Sequence, residues 1–184
     1  LDEGDTASIG ASDAGNLLHG VFERFLKEAC ENGEEFPMSR ETVISKSERL
    51  VREYALDVCP QGAGSRAKYL FARLERSAAS DMWELSEEFA HSKFRPVGFE
   101  MKIGSDLVPP YTVKIDANNS MNISGVVDRL DIYKNGDTVY LRVADYKTGQ
   151  KTFRMDDVES GRSVQLMLYL AALCDSPGDC AFRK

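Results

Sequence analysis

Two runs of β-branched and aromatic residues around a turn signal constrain the fold of this 184-residue chain more than any other feature. The runs occupy residues 121–132 and 138–143, and Asn135-Gly136 lies between them. Such residues favour strands, and Asn-Gly favours a type I′ turn because both central positions of that turn need positive φ. The pattern predicts a β-hairpin with a connection of two residues or a few more.

Acidic residues lie near one end of the predicted hairpin. Asp128 falls within the first run, and Asp145 follows the second run with Lys147 two residues beyond it. Side chains at i and i+2 of a strand share a face, so Asp145 and Lys147 are expected to point the same way. A turn centred on Asn135-Gly136 leaves Asp128 two residues out of register with Asp145, and we expect a bulge or a longer loop to correct this.

Two carboxylates in one small site repel, because each raises the free energy of ionising the other. A hard divalent cation such as Mg²⁺ removes that penalty, since it prefers oxygen ligands and keeps several waters. Such a cation activates a water as the nucleophile at a phosphodiester, and Lys147 adds a positive charge to hold that water or the phosphate. Asp128, Asp145 and Lys147 thus predict a metal-dependent nuclease, against the alternative of solvated charges at strand ends.

A histidine lies on the first predicted helix. Residues 15–26 carry leucines and phenylalanines at helical spacing, and Ser12 or Asp13 is expected to cap the helix start. His19 and Glu23 are four residues apart and therefore share a face of this helix. His19 is either a hydrogen-bonded histidine beside the core or a metal ligand, and the second role requires other ligands to converge on it.

Two further segments place polar side chains in apolar surroundings. Glu100 interrupts a strand predicted over residues 97–103; it is either an acid of the metal site or an exposed strand residue, since acids are rarely buried without a partner. Gln165 and Tyr169 are four residues apart on an apolar helix predicted over residues 165–173. This pair lies either at the wet edge of a core helix or against the metal site or a substrate phosphate.

The order of the elements predicts an α/β protein. Helices are expected from the start signal Ser39-Arg40-Glu41 and over residues 65–91, with a break near Ser80-Asp81. Pro96 marks the change to strands, and the hairpin and one last helix follow. The sequence therefore predicts a mostly antiparallel sheet preceded by a helical N-terminal half.

Composition restricts the class of protein and its surroundings. No apolar stretch is long enough to span a bilayer, and four scattered cysteines indicate free thiols in a reducing, cytoplasmic compartment. The net charge of −7 argues mildly against a protein that grips duplex DNA by itself. One basic stretch is either a phosphate-binding surface or a solvated helix face, and it consists of Arg66, Lys68, Arg73 and Arg76.

Five motifs in this order resemble the RecB-type nuclease family of the PD-(D/E)xK superfamily, and in particular the C-terminal nuclease domain of AddB-like helicase–nuclease subunits. The matching residues are 15–19 with Glu23, Phe99-Glu100, 125–131, 145–149, and Gln165 with Tyr169. The resemblance implies a restriction-endonuclease-like core, with a mixed, mostly antiparallel central sheet flanked by helices. It also implies that residues 1–184 form a single nuclease domain.

The resemblance further implies a role for each motif residue. The implied ligands of Mg²⁺ or Mn²⁺ are the side chains of His19, Asp128 and Asp145 and the main-chain carbonyl of Tyr146. The other implied roles are catalysis by Lys147 with help from Glu100, substrate binding by Gln165, Tyr169 and Thr148, and an ion pair between Arg129 and Asp131.

Related nucleases carry an iron–sulfur cluster, held by one cysteine before the histidine helix and three after the last helix. The cysteines here are Cys30, Cys59, Cys174 and Cys180. Because none precedes His19, no such cluster is expected within this chain. The abrupt start and end suggest a piece of a longer subunit, whose helicase domains or partner subunit would deliver the DNA.

The leading interpretation is a metal-dependent deoxyribonuclease, expected to act as the exonuclease of a helicase–nuclease complex in the repair of double-strand breaks by recombination. Two alternatives stay open. One is a catalytically silent DNA-binding or scaffolding module on the same fold, which the complete set of Asp128, Asp145 and Lys147 argues against. The other is a phage-type or CRISPR-associated exonuclease with the same core.

Overall fold

Three helices form the N-terminal half of the chain in a computed structural model that describes residues 11–58, 65–146 and 164–175. They belong to a compact unit, Leu1–Ser92, and pack against one another in pairs. The helices are α1 (Ala11–Glu31), α2 (Arg40–Val58) and α3 (Ser65–His91). The predicted helical N-terminal half is confirmed.

The apolar faces of these helices meet in one core. Fully buried side chains come from all three helices, and the largest are Phe25, Leu26, Leu50, Met82 and Phe89. Burying one such side chain stabilises the fold by about 1.5–3 kcal/mol. Amphipathic packing rather than local propensity therefore holds the three helices.

Ser39 caps the second helix, as its start signal predicts. Its Oγ accepts a hydrogen bond from the N–H of Thr42 at 3.1 Å, and its carbonyl accepts the N–H of Val43 at 3.0 Å. These contacts satisfy donors that have no partner within the first turn of a helix. The side chain of Ser39 thus fixes where α2 begins.

Two predictions about the other helices are wrong. Ser12 and Asp13 lie inside α1 rather than capping its start. The third helix runs through Ser80-Asp81 without a break. Ala78 and Met82, on either side of these polar residues, are both fully buried. Their packing therefore overrides the weak helix propensity of Ser80 and Asp81.

Five strands and one helix make up the described part of the second unit, Lys93–Lys184. The elements are β1 (Arg95–Ile103), β2 (Tyr111–Lys114), β3 (Ser120–Ile123), β4 (Gly125–Asn135), β5 (Thr138–Ala144) and α4 (Gln165–Cys174). Strands β1, β4 and β5 form an antiparallel sheet in the order β1-β4-β5, and β2 pairs with β3 in a separate hairpin. The predicted α/β class with an antiparallel sheet is confirmed, although residues 121–132 divide into two strands.

The β4–β5 hairpin has a two-residue connection, which is the shorter of the lengths predicted, but the turn lies at a different position. Asn135 pairs with Thr138, so the connection consists of Gly136 and Asp137. Gly136 has a φ of 58°, whereas Asp137 does not have a positive φ. Positive φ at only the first central position is the pattern of a type II′ turn, not type I′. The turn lies one residue later than predicted, and this shift removes the two-residue mismatch without a bulge or a longer loop.

Strand β1 carries a register shift between Pro96 and Gly98. After this irregularity the register with β4 stays the same from Gly98 to Ile103, which lies opposite Gly125. An extra residue in one strand bends that strand and increases its twist. The shift therefore determines which β4 residues face the second half of β1.

Helix α4 covers part of the second unit's core. It packs against β5 and β2, and Tyr169, Ala172 and Leu173 are its buried residues. They form one cluster with Val127, Leu130 and residues of the β1–β2 region. Within the described ranges, no helix of either unit is long and apolar enough to cross a membrane.

Candidate active site

Three acids fall on one line across the sheet, two of them in neighbouring strands and the third directly after a strand. Phe99 and Met101 of β1 pair with Arg129 and Val127 of β4, so Glu100 lies opposite Asp128. On the other side, the last pair of the β4–β5 ladder is Arg129 with Ala144. The next position in that register sets Asp145 opposite Asp128. The line of Glu100, Asp128 and Asp145 is called the acid row below.

The central acid of this row lies close to its β1 neighbour. One carboxylate oxygen of Glu100 lies within 4.8 Å of one carboxylate oxygen of Asp128. Glu100 is exposed, whereas Asp128 and Asp145 are half-buried. Since two like charges at this separation repel, the acid row has the oxygen ligands and the negative charge that a hard divalent cation neutralises.

The backbone of Glu100 is strained. Its φ is 47°, and it is the one non-glycine residue of the described ranges with a positive φ. A non-glycine residue in such a sparsely populated φ/ψ region destabilises the fold by about 1–3 kcal/mol, and residues of this kind cluster at functional sites. The surrounding sheet must therefore hold Glu100 in this conformation.

Asp128 also contacts the segment that follows β5. Its Oδ2 accepts a hydrogen bond of 2.7 Å from the main-chain N–H of Tyr146. The phenol oxygen of Tyr146 in turn accepts a 2.8 Å hydrogen bond from Nη1 of Arg129. The two ends of Tyr146 are thus held by consecutive residues of β4.

A buried ion-pair network, Arg129–Asp131–Arg142, supports this arrangement. Nε of Arg129 lies 2.9 Å from Oδ1 of Asp131, and Nε of Arg142 donates to Oδ2 of Asp131 at 2.8 Å. Both Arg129 and Asp131 are buried. The pairing implied for Arg129 and Asp131 is present, and Arg142 was missed because only the observed register sets it opposite Asp131.

Burial and charge alter the protonation of this network. Burial raises the pKa of Tyr146 to about 12, although the adjacent Arg129 acts in the opposite direction. Burial alone would lower the pKa of Arg129, but Tyr146 and Asp131 raise it by more. Arg129 therefore stays charged, and Tyr146 stays a neutral phenol over the physiological range.

Of the polar pair on α4, Tyr169 is buried against β4, whereas Gln165 is exposed. Nε2 of Gln165 donates to the phenol oxygen of Tyr169 at 3.2 Å, as their spacing predicts. Gly125 lies directly beside that phenol, because a Cβ at this position would come 2.1 Å from its oxygen. The glycine of Gly-x-x-Asp thus makes room for the tyrosine of Gln-x-x-x-Tyr.

The remaining predicted site residues belong to the first unit or fall outside the described residues. His19 is half-buried on α1 of the first unit, and Glu23 on the same helix forms an ion pair with Lys27. Lys147 and Thr148 fall outside the described residues. The roles of these residues stay predictions.

Two comparisons with known proteins, one with protein families and one with individual relatives, both indicate a nuclease. Residues 1–181 match the PD-(D/E)XK nuclease superfamily. The chain is similar to the B subunit of the ATP-dependent helicase/deoxyribonuclease of Acetivibrio thermocellus, with 31% identity over 92% of this chain and 15% of that protein. The corresponding protein of Ruminiclostridium cellulolyticum is 34% identical over 88% of this chain and 14% of its own length.

The chain therefore spans about 15% of the length of these curated relatives. The match to the superfamily covers nearly all of the sequence, and the acid row lies in β1, in β4 and directly after β5. This chain belongs to the PD-(D/E)XK nuclease superfamily.

Proposed function

We propose that this chain is a metal-dependent deoxyribonuclease whose centre is the acid row. The observation that carries the proposal is the register, which sets Glu100 of β1 and the residue after β5, Asp145, on either side of Asp128. Single acids at strand ends are usually solvated charges, whereas three acids in one line create a repulsion that a cation relieves. The geometry therefore favours a cation site over scattered surface charges.

The donor set fits Mg²⁺ or Mn²⁺. Carboxylate oxygens suit these hard cations, and the Glu100 and Asp128 oxygens are near enough to share one ion. We propose that Asp128 and Asp145 bind the metal with the Tyr146 carbonyl and His19, and that Glu100 assists. A bound ion of this kind supplies an activated water and stabilises charge on the phosphate.

The protein's own groups would position the reactants. We propose that Lys147 holds the attacking water or the scissile phosphate as a compact positive charge. The Tyr146 amide orients the Asp128 carboxylate through its hydrogen bond. Gln165, Tyr169 and Thr148 are proposed to contact the substrate, with Tyr169 held between Gln165 and Gly125.

The biological setting is proposed from the relatives. Their names describe parts of a helicase/deoxyribonuclease, and this chain corresponds to a small share of their length. We propose that it acts on DNA as one nuclease domain, and that a helicase supplies the strand during the repair of double-strand breaks. Its net charge of −7 supports delivery of DNA by another part of the machine.

The rival function is a silent DNA-binding or scaffolding module. The test is cleavage of single- and double-stranded DNA with Mg²⁺ or Mn²⁺, by this chain and within its longer parent. Asp145→Asn and Lys147→Ala are expected to lower kcat by at least about a hundredfold. Asp137→Asn, in the turn at the far end of the same hairpin, is the control and should cleave normally.

Each outcome decides between the functions. Cleavage that needs the metal and is lost in the two site variants supports the nuclease. DNA binding without cleavage, in the chain and in the parent alike, supports the silent module. Cleavage that survives both substitutions would show that the acid row is not the active site.

A further inference from the structure

The first unit contains a cavity that shares no residue with the acid row. It lies between α2 and α3 and has a volume of about 360 Å³. This is the size range of pockets that bind small molecules or single groups of a larger ligand. Its walls include Arg40, Val43, Ile44, Arg76, Ala79 and Trp83, and it is called the Trp83 groove below.

The groove combines an aromatic surface with cationic groups. The guanidinium of Arg40 lies 5.8 Å from the centre of the Trp83 ring. Arg76 is exposed, and neither arginine forms an ion pair with a carboxylate within the described ranges. Two glutamates also line the groove, but Glu48 and Glu75 each lie 3.5 Å from a nitrogen of Arg52. With Arg52 included, three arginines outnumber the two glutamates, so the excess charge at the groove is positive.

These features match the chemistry of a nucleotide. A base needs a flat or apolar surface, which Trp83, Val43 and Ile44 provide, and stacking on an aromatic ring is tolerant of sequence. The phosphate needs a cation, and Arg76 and Arg40 supply guanidinium groups. An acidic peptide would use the arginines but leave the aromatic surface without a specific partner.

We propose that the Trp83 groove binds one nucleotide of single-stranded DNA, with its base against Trp83 and its phosphate at Arg76. The proposal rests on the proposed function, because it takes DNA as the substrate of this chain. It adds a second DNA contact, in the helical unit, to a protein whose overall charge is unfavourable for DNA. It also assigns a function to part of the basic stretch on α3.

The sequence provides its own probe, because Trp83 is the one tryptophan of the chain. Oligothymidylate is added in EDTA, so that binding is followed without cleavage, and the emission of Trp83 is recorded. We expect saturable quenching that weakens with salt, since phosphate contacts release counterions. Arg76→Gln should weaken the affinity by about tenfold, as expected for one charge-assisted contact.

Arg73→Gln is the matched control. Arg73 is exposed on the same helix and does not line the groove, so this variant removes the same charge and should bind like the unchanged protein. Circular dichroism confirms that both variants remain helical. Polyglutamate of the same length tests for an acidic peptide as the occupant and should not quench Trp83.

Three results would overturn the proposal. They are no quenching by oligothymidylate, equal losses of affinity in Arg73→Gln and Arg76→Gln, or equal quenching by polyglutamate. Asp145→Asn separates this proposal from the nuclease proposal, because it should abolish cleavage and leave quenching intact. If the unchanged protein cleaves DNA but Trp83 does not respond, only the groove assignment fails.

Discussion

The main-chain amide of Tyr146 donates a 2.7 Å hydrogen bond to the carboxylate of Asp128. The residue that would offer its carbonyl to a metal thus also orients the central acid of the row. Arg129 holds the other end of Tyr146 through the phenol oxygen. Removing a group from this chain of contacts should affect both stability and catalysis.

Tyr146→Phe removes the phenol oxygen and keeps the ring and the main-chain amide. The buried Arg129 then loses an acceptor, so we expect the free energy of unfolding to fall by about 1–3 kcal/mol and kcat to fall more than KM rises. Urea unfolding and steady-state cleavage measure the two effects. Tyr140→Phe, at an exposed tyrosine of β5, is the control, and equal losses in both variants would contradict the prediction.

Alkaline pH should weaken the second unit through the same tyrosine. The pKa of Tyr146 is raised from 10.0 to about 12 in the folded chain. Its contribution is complete below pH 10 and is lost as the pH rises towards 12, because the unfolded chain releases this proton first. A two-unit shift corresponds to about 2–3 kcal/mol.

Urea unfolding at pH 9 and pH 11.5 measures this loss. Tyr146→Phe corrects for the other groups that titrate in alkali, and it should lose less stability over this interval than the unchanged protein. If Tyr146→Phe loses as much free energy of unfolding as the unchanged protein, the alkaline destabilisation does not come from Tyr146.

Glu100→Gly should separate stability from function. Glycine adopts positive φ without strain, so this variant should unfold at higher urea concentration, with a gain of about 1 kcal/mol. Because it also removes an acid of the row, Mn²⁺ affinity and cleavage should fall. Glu100→Gln should lose the same function without gaining stability, and a destabilised Glu100→Gly would refute the strain argument.

Gly125→Ala should destabilise the contact between β4 and α4. The new methyl group would come 2.1 Å from the phenol oxygen of Tyr169, and overpacking of this kind costs about 1–3 kcal/mol. Tyr169→Ala makes room for the methyl group, so the loss in the double variant should be smaller than the sum of the single losses. Additive losses measured by urea unfolding would mean that the two residues do not interact.

Local patterns were sufficient to predict the type of most elements. The hairpin, the helical half and the start of α2 at Ser39 follow from propensity and spacing, which act over a few residues. The turn was displaced because Asn135-Gly136 suits type I′, whereas the chain uses Gly136 at the first position of a type II′ turn. This displacement of the turn by one residue sets Asp145, rather than Val143, opposite Asp128.

Contacts between distant residues were harder to predict. Arg142 joins Asp131 only because the ladder sets them opposite each other, and no local pattern marks Arg142. The conformation of Glu100 depends on pairing with β4 and had no signal in a strand-like sequence. The resemblance identified the acids, but the register was needed to show that three of them form one row.

The acid row depends on both outer strands of the described sheet. Glu100 belongs to β1, while Asp145 follows the last ladder pair of β5, where strands begin to fray. A brief opening at either margin would separate the acids while the rest of the sheet remains paired. The helix α4 packs against β5, so its contact would keep Asp145 aligned with Asp128. With rising urea concentration, cleavage should therefore be lost before the protein unfolds.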